Sequence, residues 1–480
     1  MGIRRVTGLV PILLIATVVA CDRVDNAEHV GALRAVVATQ PAWVAKDAVS
    51  KRLWAAERDF YEARQFVPAW FDGDAPAPQL TGLIAELRRS SEHGIDPEGY
   101  GIADVEQLLA ASKTTFRGVR VPVERIPELD ARLTFGYLRY AADLLGWTSS
   151  PRAVDPNWRT APGKDDLAAR LSAALTDDRV PASLAELAPT HPQYHGLQAA
   201  LSHEREQPTG HENLIRLNLE RWRWAPRDLG ERYVLVNVPA YQLQVMEGNR
   251  PALAMRVVVG QPDTPTPLFS DAMTYVVFSP TWSIPESIIR KETLPRVAQD
   301  PDYLERNAIE VVRGREVIDP GDIDWSDEDE TAGLRFRQQP GPDNALGLVK
   351  FIFPNNFSVY LHDTPADALF NRDRRAFSHG CIRVENPVAL AKYVLGDQPE
   401  WTEARIREAM AEQREQTAPL KTPLPVHIGY WTAWVEADGR TVTYTDDPYR
   451  IDERHARVRG LDLGASNARV SRRGTGASAD

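Results

Sequence analysis

Tyr233-Val-Leu-Val-Asn-Val238, followed after Pro239-Ala240 by Tyr241-Gln-Leu-Gln-Val245, is where the periodicity of this 480-residue chain changes. Apolar and polar residues alternate, β-branched residues dominate, and Pro239-Ala240 supplies a tight turn, so the segment reads as two strands of a meander. Met255-Arg-Val-Val-Val259, Thr274-Tyr-Val-Val-Phe278, Leu348-Val-Lys-Phe-Ile-Phe353 and Ser358-Val-Tyr-Leu361 repeat the pattern, with Glu247-Gly-Asn249 as another turn. Upstream the period is helical: Leu53, Ala56, Phe60 and Ala63 in one segment, Leu129, Leu133, Tyr137, Tyr140 and Leu144 in another. Its breaks fall at Pro68, Asp72-Gly-Asp74, Gly94, Asp96-Pro97 and Pro151. The expectation is therefore α+β: a helical domain over 50–202, a polar linker over 203–212, and a β-rich domain over 213–440 that opens with a short helix, Asn213 to Trp224. Between Pro285 and Leu346 the strand pattern stops. A helix from Ser287 to about Val297 leads into an acidic stretch containing Asp327-Glu-Asp-Glu330, so an insertion of about 286–346 is expected, as a solvated loop or as a flap over a cleft. Residues 441–480 read as a tail with a disordered end.

Hydrophobic residues make up 43% of the chain and charged residues 26%, an ordinary globular composition with length for two or three cores. Lys and Arg total 56 against 67 Asp and Glu, a net charge of −11 that lacks the basic footprint of phosphate-backbone binding and argues against a nucleic-acid partner. Met1-Gly-Ile-Arg-Arg5, an apolar run from Leu9 to Ala20 and then Cys21 have the layout of a secretory signal over 1–20. Val18-Val-Ala20 before Cys21 resembles a bacterial lipoprotein signal, which implies a lipid on Cys21, a tether over 22–49 and a membrane-anchored periplasmic protein; a plain cleaved signal with an incidental cysteine is the alternative. The chain has two cysteines. With Cys21 lipidated, Cys381 has no partner, and an unpaired thiol in an oxidising compartment points to chemistry.

That chemistry has a local setting: His362-Asp-Thr-Pro365, then Phe377-Ser-His-Gly-Cys-Ile-Arg-Val-Glu-Asn-Pro387. A histidine closes a strand, and a cysteine lies in a Gly-containing turn shortly before a helix that Asn386 can cap and Pro387 can start. Nucleophilic catalysis needs a thiolate formed beside a base, so Cys381 is the candidate nucleophile and His362 the candidate general base and acid, taking the thiol proton or holding a thiolate–imidazolium pair. His379 would support the pair, Gly380 would let backbone amides including that of Cys381 form an oxyanion hole, and Arg383 offers a fork for a carboxylate. The alternatives are an inert cysteine, a zinc site built from His362, His379 and Cys381, and a purely structural His379. His93, His191 and His195 sit among turn residues and read as surface or capping groups.

His362 with Ser378-His-Gly-Cys-Ile-Arg383 resembles the signature of L,D-transpeptidases with a YkuD-type catalytic domain. Asn218-Leu-Glu-Arg-Trp-Arg-Trp224, Pro280-Thr-Trp-Ser-Ile-Pro285 and Pro425-Val-His-Ile-Gly-Tyr-Trp431 resemble the larger periplasmic subfamily with a helical scaffold domain, and Phe66-Val-Pro-Ala-Trp70 and Glu92-His-Gly-Ile-Asp-Pro97 do so more weakly. The resemblance implies a β-sandwich-like catalytic domain with a capping insertion, and attack by Cys381 on the third residue of a peptidoglycan tetrapeptide stem. Release of D-Ala and transfer to an amine would make a 3→3 cross-link. It implies that Arg383 positions a carboxylate, that no metal or organic cofactor is needed, and that peptidoglycan synthases are partners. A peptidoglycan-binding module frequent in larger members is not apparent, because 203–212 occupies its place, and Asp363 stands where many members have Gly. The same site using water would be a peptidase; a non-catalytic envelope scaffold is the reading from another class.

Overall fold

The computed structural model describes residues 19–464 apart from 111–112, 116–117, 161–162, 164, 301 and 326, with side chains from 29 onward except at 113–115, 118–119 and 328–329. Two compact units emerge, one from the described part of Met1–Ser149 with Pro162–Pro189, the other from Ser150–Ala161 with the described part of Thr190–Asp480.

The first unit is helical: α1 (Val19–Ala38), α2 (Ala48–Ala63), α3 (Pro78–Arg88), α4 (Ile126–Leu144) and α5 (Leu167–Thr176). The apolar spacing of α4 buries Leu129, Leu133, Tyr137, Tyr140 and Leu144 together, so this helix is the axis on which the others pack. Asp130 of the same helix is buried, with Arg64 nearby but no direct ion pair among the described residues. Its carboxylate accepts from the Tyr61 hydroxyl (2.6 Å) and the Ala69 (2.9 Å) and Trp70 (2.8 Å) amides, while burial pushes its pKa up to about 6. The expected tether over 22–49 requires correction from residue 29 onward. Leu33 and Val37, four residues apart on α1, and Val44 beyond it are buried in this core, because one stripe of the segment is apolar even though its average is polar. The signal call over 1–20 falls, through residue 18, outside the described residues, as does the side chain of Cys21. Among the described residues no helix is long and apolar enough to cross a membrane.

The second unit starts with α6 (Pro192–Glu206) and α7 (Glu212–Trp224). Its strands are β1 (Arg232–Asn237), β2 (Gln242–Glu247), β3 (Arg250–Gly260), β4 (Phe269–Phe278), β5 (Trp282–Ser283), β6 (Ile309–Arg313), β7 (Glu316–Ile318), β8 (Arg335–Gln338), β9 (Val349–Ile352), β10 (Leu361–His362), β11 (Ala376–Ser378), β12 (Ile382–Val384), β13 (Gln416–Gly429), β14 (Ala433–Val435) and β15 (Val442–Tyr444). Nine of them form one sheet in the order β11-β3-β12-β10-β9-β4-β13-β1-β2, and a β2–β3 pairing closes that sheet on itself. The sandwich-like expectation thus takes the form of a single closed sheet, with Val234, Val236, Leu243, Val257, Phe351, Leu361 and Ile382 filling its interior.

Three stretches differ from the sequence reading. The expected helical domain ended at 202, yet α6 packs with the second unit: the Gln193 side-chain amide donates to the Val435 carbonyl (2.6 Å) and accepts from its amide (2.8 Å), while Tyr194, Leu197 and Leu201 are fully buried. Strands were not expected between Pro285 and Leu346. The insertion instead supplies three strands that join β5, just before it, in a sheet ordered β7-β6-β8-β5, with a small core of Ile309, Val311, Leu334 and Phe336 and charged residues on the exposed faces of β6 and β8. The stretch 441–464, expected in the tail, is folded: β14 and β15 make a hairpin, and α9 (Ile451–Arg459), which follows α8 (Pro387–Val394), buries Ile451 and His455. Residues 465–480 lie outside the described residues.

The reason α9 docks is electrostatic as well as apolar. Arg221 of α7 is fully buried and its guanidinium meets the Asp452 carboxylate at 2.7 Å, with the Thr432 hydroxyl also donating to Asp452 (2.9 Å). Removing one partner of a buried pair strands the other charge, so Asp452→Ala is expected to cost about 3–5 kcal/mol. Chemical denaturation monitored by tryptophan fluorescence would read this directly; a loss below about 1 kcal/mol contradicts it.

Candidate active site

The site is assembled by strand register. β10 and β12 run parallel, pairing Leu361 with Ile382 and His362 with Arg383, and the Ile382 amide donates to the Tyr360 carbonyl (3.1 Å). Side chains alternate along strands, so Leu361, Ile382 and Val384 point into the closed sheet. Tyr360, His362, Cys381 and Arg383 share the outer face. On the other side β9 sets Lys350 opposite His362, giving a transverse row Lys350–His362–Arg383.

The nucleophile turn is tightly held. Ser378 Oγ donates to the Cys381 carbonyl (2.5 Å) and accepts the Gly380 amide (3.2 Å). Gly380 has φ +116°, a conformation that L side chains rarely adopt. The Gly380 carbonyl accepts from the Thr266 hydroxyl (2.8 Å), which in turn accepts the Gly260 amide (2.9 Å), and Tyr449 bonds both the Thr266 amide (3.2 Å) and the Gly260 carbonyl (2.6 Å). With its amide committed to Ser378, Gly380 does not present an oxyanion donor; the Cys381 amide carries that expectation alone.

Cys381 is half-buried and its thiol donates to the Ser358 carbonyl (3.9 Å), the carbonyl of a non-glycine residue at φ +55°. No hydrogen bond joins it to His362. The imidazole is almost fully buried; its Nδ1 faces the Asp363 carbonyl (2.5 Å), which requires the proton on Nδ1 and leaves Nε2 bare. Burial first, then Arg383 and Lys350, depress the His362 pKa to about 3, outweighing the carbonyls of Asp363 and Leu346. Burial raises the Cys381 thiol above its ordinary value despite bonds to Tyr360 and the nearby Arg383. Of the two resting states open from the sequence, this electrostatic setting favours the neutral thiol and imidazole. Alkylation of Cys381 by iodoacetamide is then expected to accelerate roughly tenfold per pH unit between about pH 6 and 8. A rate flat over that range would mean a preformed thiolate–imidazolium pair.

His379 does not join the pair. It is exposed on the turn, and its Nε2 lies 2.6 Å from Glu292 in the π-helical turn Ile289–Thr293 of the insertion. Among the described residues no group of three or more His, Cys, Asp or Glu is arranged to hold a metal ion. Arg383 lines a cleft of about 300 Å³ with His379, Glu292, Trp282 and Gln338. Its Nε is buried with no hydrogen-bond partner. Asp363 seats its carboxylate over Gly347 and accepts the Leu348 amide (2.8 Å), and Asn386 caps α8 through the Ala389 amide (3.0 Å).

Sequence reasoning did not single out Tyr360, Lys350, Glu292, Thr266 or Tyr449. Lys350 had a signal, since it sits between Val349 and Phe351 and must face away from them; Glu292 and Tyr449 are distant in sequence and had none.

A thiol and an imidazole on one outer face of a closed β-sheet, beside a cleft roofed by an insertion, define a candidate cysteine acyl-transfer domain. Residues 231–428 match the L,D-transpeptidase catalytic domain, and residues 55–201 match the scaffold domain. The family assignment is therefore one of segments: a YkuD-type L,D-transpeptidase catalytic domain over 231–428 and a scaffold domain over 55–201. A Haemophilus influenzae protein provisionally assigned as an L,D-transpeptidase is 37% identical over 214 residues, 44% of this chain and 43% of that protein. The chain thus spans less than half the length of this relative. A Mycobacterium smegmatis L,D-transpeptidase structure (15% identity, 41% of this chain and 58% of that chain, TM-score 0.21) and Mycobacterium tuberculosis L,D-transpeptidase 1 (14%, 42% and 59%, TM-score 0.18) are also similar, at scores too low to bear on the fold.

Proposed function

We propose that the chain transfers acyl groups between peptidoglycan stem peptides, with Cys381 as nucleophile and His362 as base. The observation that carries this reading is the parallel β10–β12 pairing, which sets Cys381, His362 and Arg383 on one face beside a cleft. The reading requires the thiol to leave Ser358 and meet His362 Nε2 once substrate is bound, as catalytic hydrogen bonds often form only then. Nε2 takes the thiol proton as sulfur attacks the carbonyl of the third stem residue, and the Cys381 amide donates to the developing oxyanion. Arg383 and Lys350 disfavour the imidazolium, so the proton passes quickly to the departing D-Ala amine. An amine of a neighbouring stem then attacks the thioester, gives up its proton to His362, and frees the thiol with a 3→3 cross-link formed. The unpartnered Arg383 Nε supports a role in holding a stem carboxylate. His379 and Glu292 would join the nucleophile turn to the insertion above it. A periplasmic location, a lipid on Cys21 and association with peptidoglycan synthases extend the same reading.

Intact-protein mass spectrometry with a disaccharide-tetrapeptide tests it. The expected adduct is the substrate less D-Ala, discharged by an added D-amino acid. Discharge by water alone would replace transpeptidation with hydrolysis, and no adduct would reject acyl transfer.

A further inference from the structure

The second unit has a cavity much larger than the cleft beside Arg383. A groove of about 1280 Å³ runs between α6, the outer face of β2 and β3, and the β14–β15 hairpin. It exceeds the roughly 300–1,000 Å³ of small-molecule pockets, so it has room for more than one sugar or residue unit. Its chemistry is specific. Gln242 and Gln244 occupy alternate outward positions of β2, and no hydrogen bond among the described residues takes up their side-chain amides. Trp434, half-buried and packed with Trp222 and Trp431, supplies an aromatic surface, while Tyr241 is buried with the Arg375 guanidinium over its ring. The cations at the groove are already engaged: Arg256 by the Glu385 carboxylate (2.8 Å from Nε), and Arg375 by the carbonyls of Arg372 (2.7 Å), Val257 (3.3 Å) and Tyr241 (3.3 Å). Free amides beside the Trp434 face, with Arg256 paired to Glu385 and the Arg375 donors taken up by carbonyls, suit a ligand rich in hydroxyl and acetamido groups.

The groove also connects to the nucleophile. Cys381, Arg383 and Glu385 lie at alternate positions along β12 and its continuation, and Glu385 meets Arg256, which β2–β3 register sets opposite Gln242. The row Glu385–Arg256–Gln242 therefore leads from the nucleophile strand onto the groove floor. Four residues of strand from Cys381 to Glu385 span about 13 Å. Three extended stem residues reach about 10 Å, which brings the sugar end of the stem past Arg383 to the Glu385 rim of the groove rather than onto its floor. On the other side of Cys381 the turn is occupied by Thr264 and Thr266, which bond the Ser378 and Gly380 carbonyls. We infer that the groove binds the glycan strand, a β-1,4-linked chain of N-acetylated amino sugars, while its stem peptide runs along β12 to the thiol. This rests on the acyl-transfer reading for the direction of the stem, and it gives the chain a glycan site within its catalytic unit where the sequence shows no separate binding module.

The test uses the full chain and a peptide-free N-acetylglucosamine hexamer, with binding read by calorimetry. Wild type and Cys381→Ala are expected to bind alike, and Gln242→Ala/Gln244→Ala to bind at least tenfold more weakly at an unchanged thermal midpoint. Ala254→Trp, which fills the groove from an exposed position opposite Gln244, is expected to give the same loss. Absence of hexamer binding to wild type, or equal binding by both variants, overturns the inference. Acylation by free tetrapeptide on the same preparations separates the two readings: an adduct without hexamer binding removes the groove assignment alone, and hexamer binding without an adduct removes acyl transfer alone.

Discussion

Cys381→Ala is expected to abolish acyl-enzyme formation, with turnover falling by at least about 10⁴-fold, because no other group on this face can form a thioester and removal of a nucleophile leaves only residual binding effects. The fold should tolerate it. The side chain is half-buried and its hydrogen bonds, to the Ser358 carbonyl at 3.9 Å and to Tyr360, are the weak ones of a thiol, so the stability change is expected to stay below about 1 kcal/mol. Cys381→Ser should fail nearly as completely, since a serine hydroxyl gives up its proton far less readily to an imidazole as weakly basic as this one. Mass spectrometry for the adduct and calorimetry for the midpoint check both halves. Retained turnover at an unchanged midpoint would move the chemistry to another residue.

His362→Ala is expected to cost about 10²–10⁴-fold in acylation through loss of the general base. The wild-type pH profile carries the sharper signature. With His362 depressed to about 3 by burial beside Arg383 and Lys350, the imidazole is already a free base at pH 5, so its contribution should survive acidification until pH falls through about 3. A fall centred between pH 6 and 7 would instead place an ordinary histidine in the rate equation. The same shift is linked to stability. The unfolded chain takes up this proton near pH 6.5 and the folded chain only near 3, so the unfolded state binds more protons in between and stability is lost as pH falls through that window. A glutamine at 362 should remove that part of the pH dependence, read as the difference between the two proteins' unfolding midpoints.

Much was legible in the chain because local rules dominate it. The change from 3.6-residue to two-residue periodicity separates helical from β-rich sequence wherever one face of an element is buried, as in α4 and β1. Ser378-His-Gly-Cys381 was legible because a tight turn needs its glycine and a thiol in a polar setting has few structural uses. The inserted strands were not: Ile309–Arg313 and Arg335–Gln338 are short and carry charges on their exposed faces, so their alternation is no stronger than that of a loop. The folding of 441–464 was also hidden, since the partners of Asp452 and Thr432 lie on α7 and are named by packing alone.

The sequence by itself determined the two kinds of secondary structure, the thiol and histidine, and the family signature, because each is written in spacing over a few residues. Only the tertiary structure decided what these groups do to one another. It closed the sheet by pairing β2 with β3, turned His379 toward Glu292, gave the Gly380 amide to Ser378, and placed Lys350 and Arg383 on either side of His362. Register and burial act between residues far apart in the chain, and the protonation states of Cys381 and His362 follow from them.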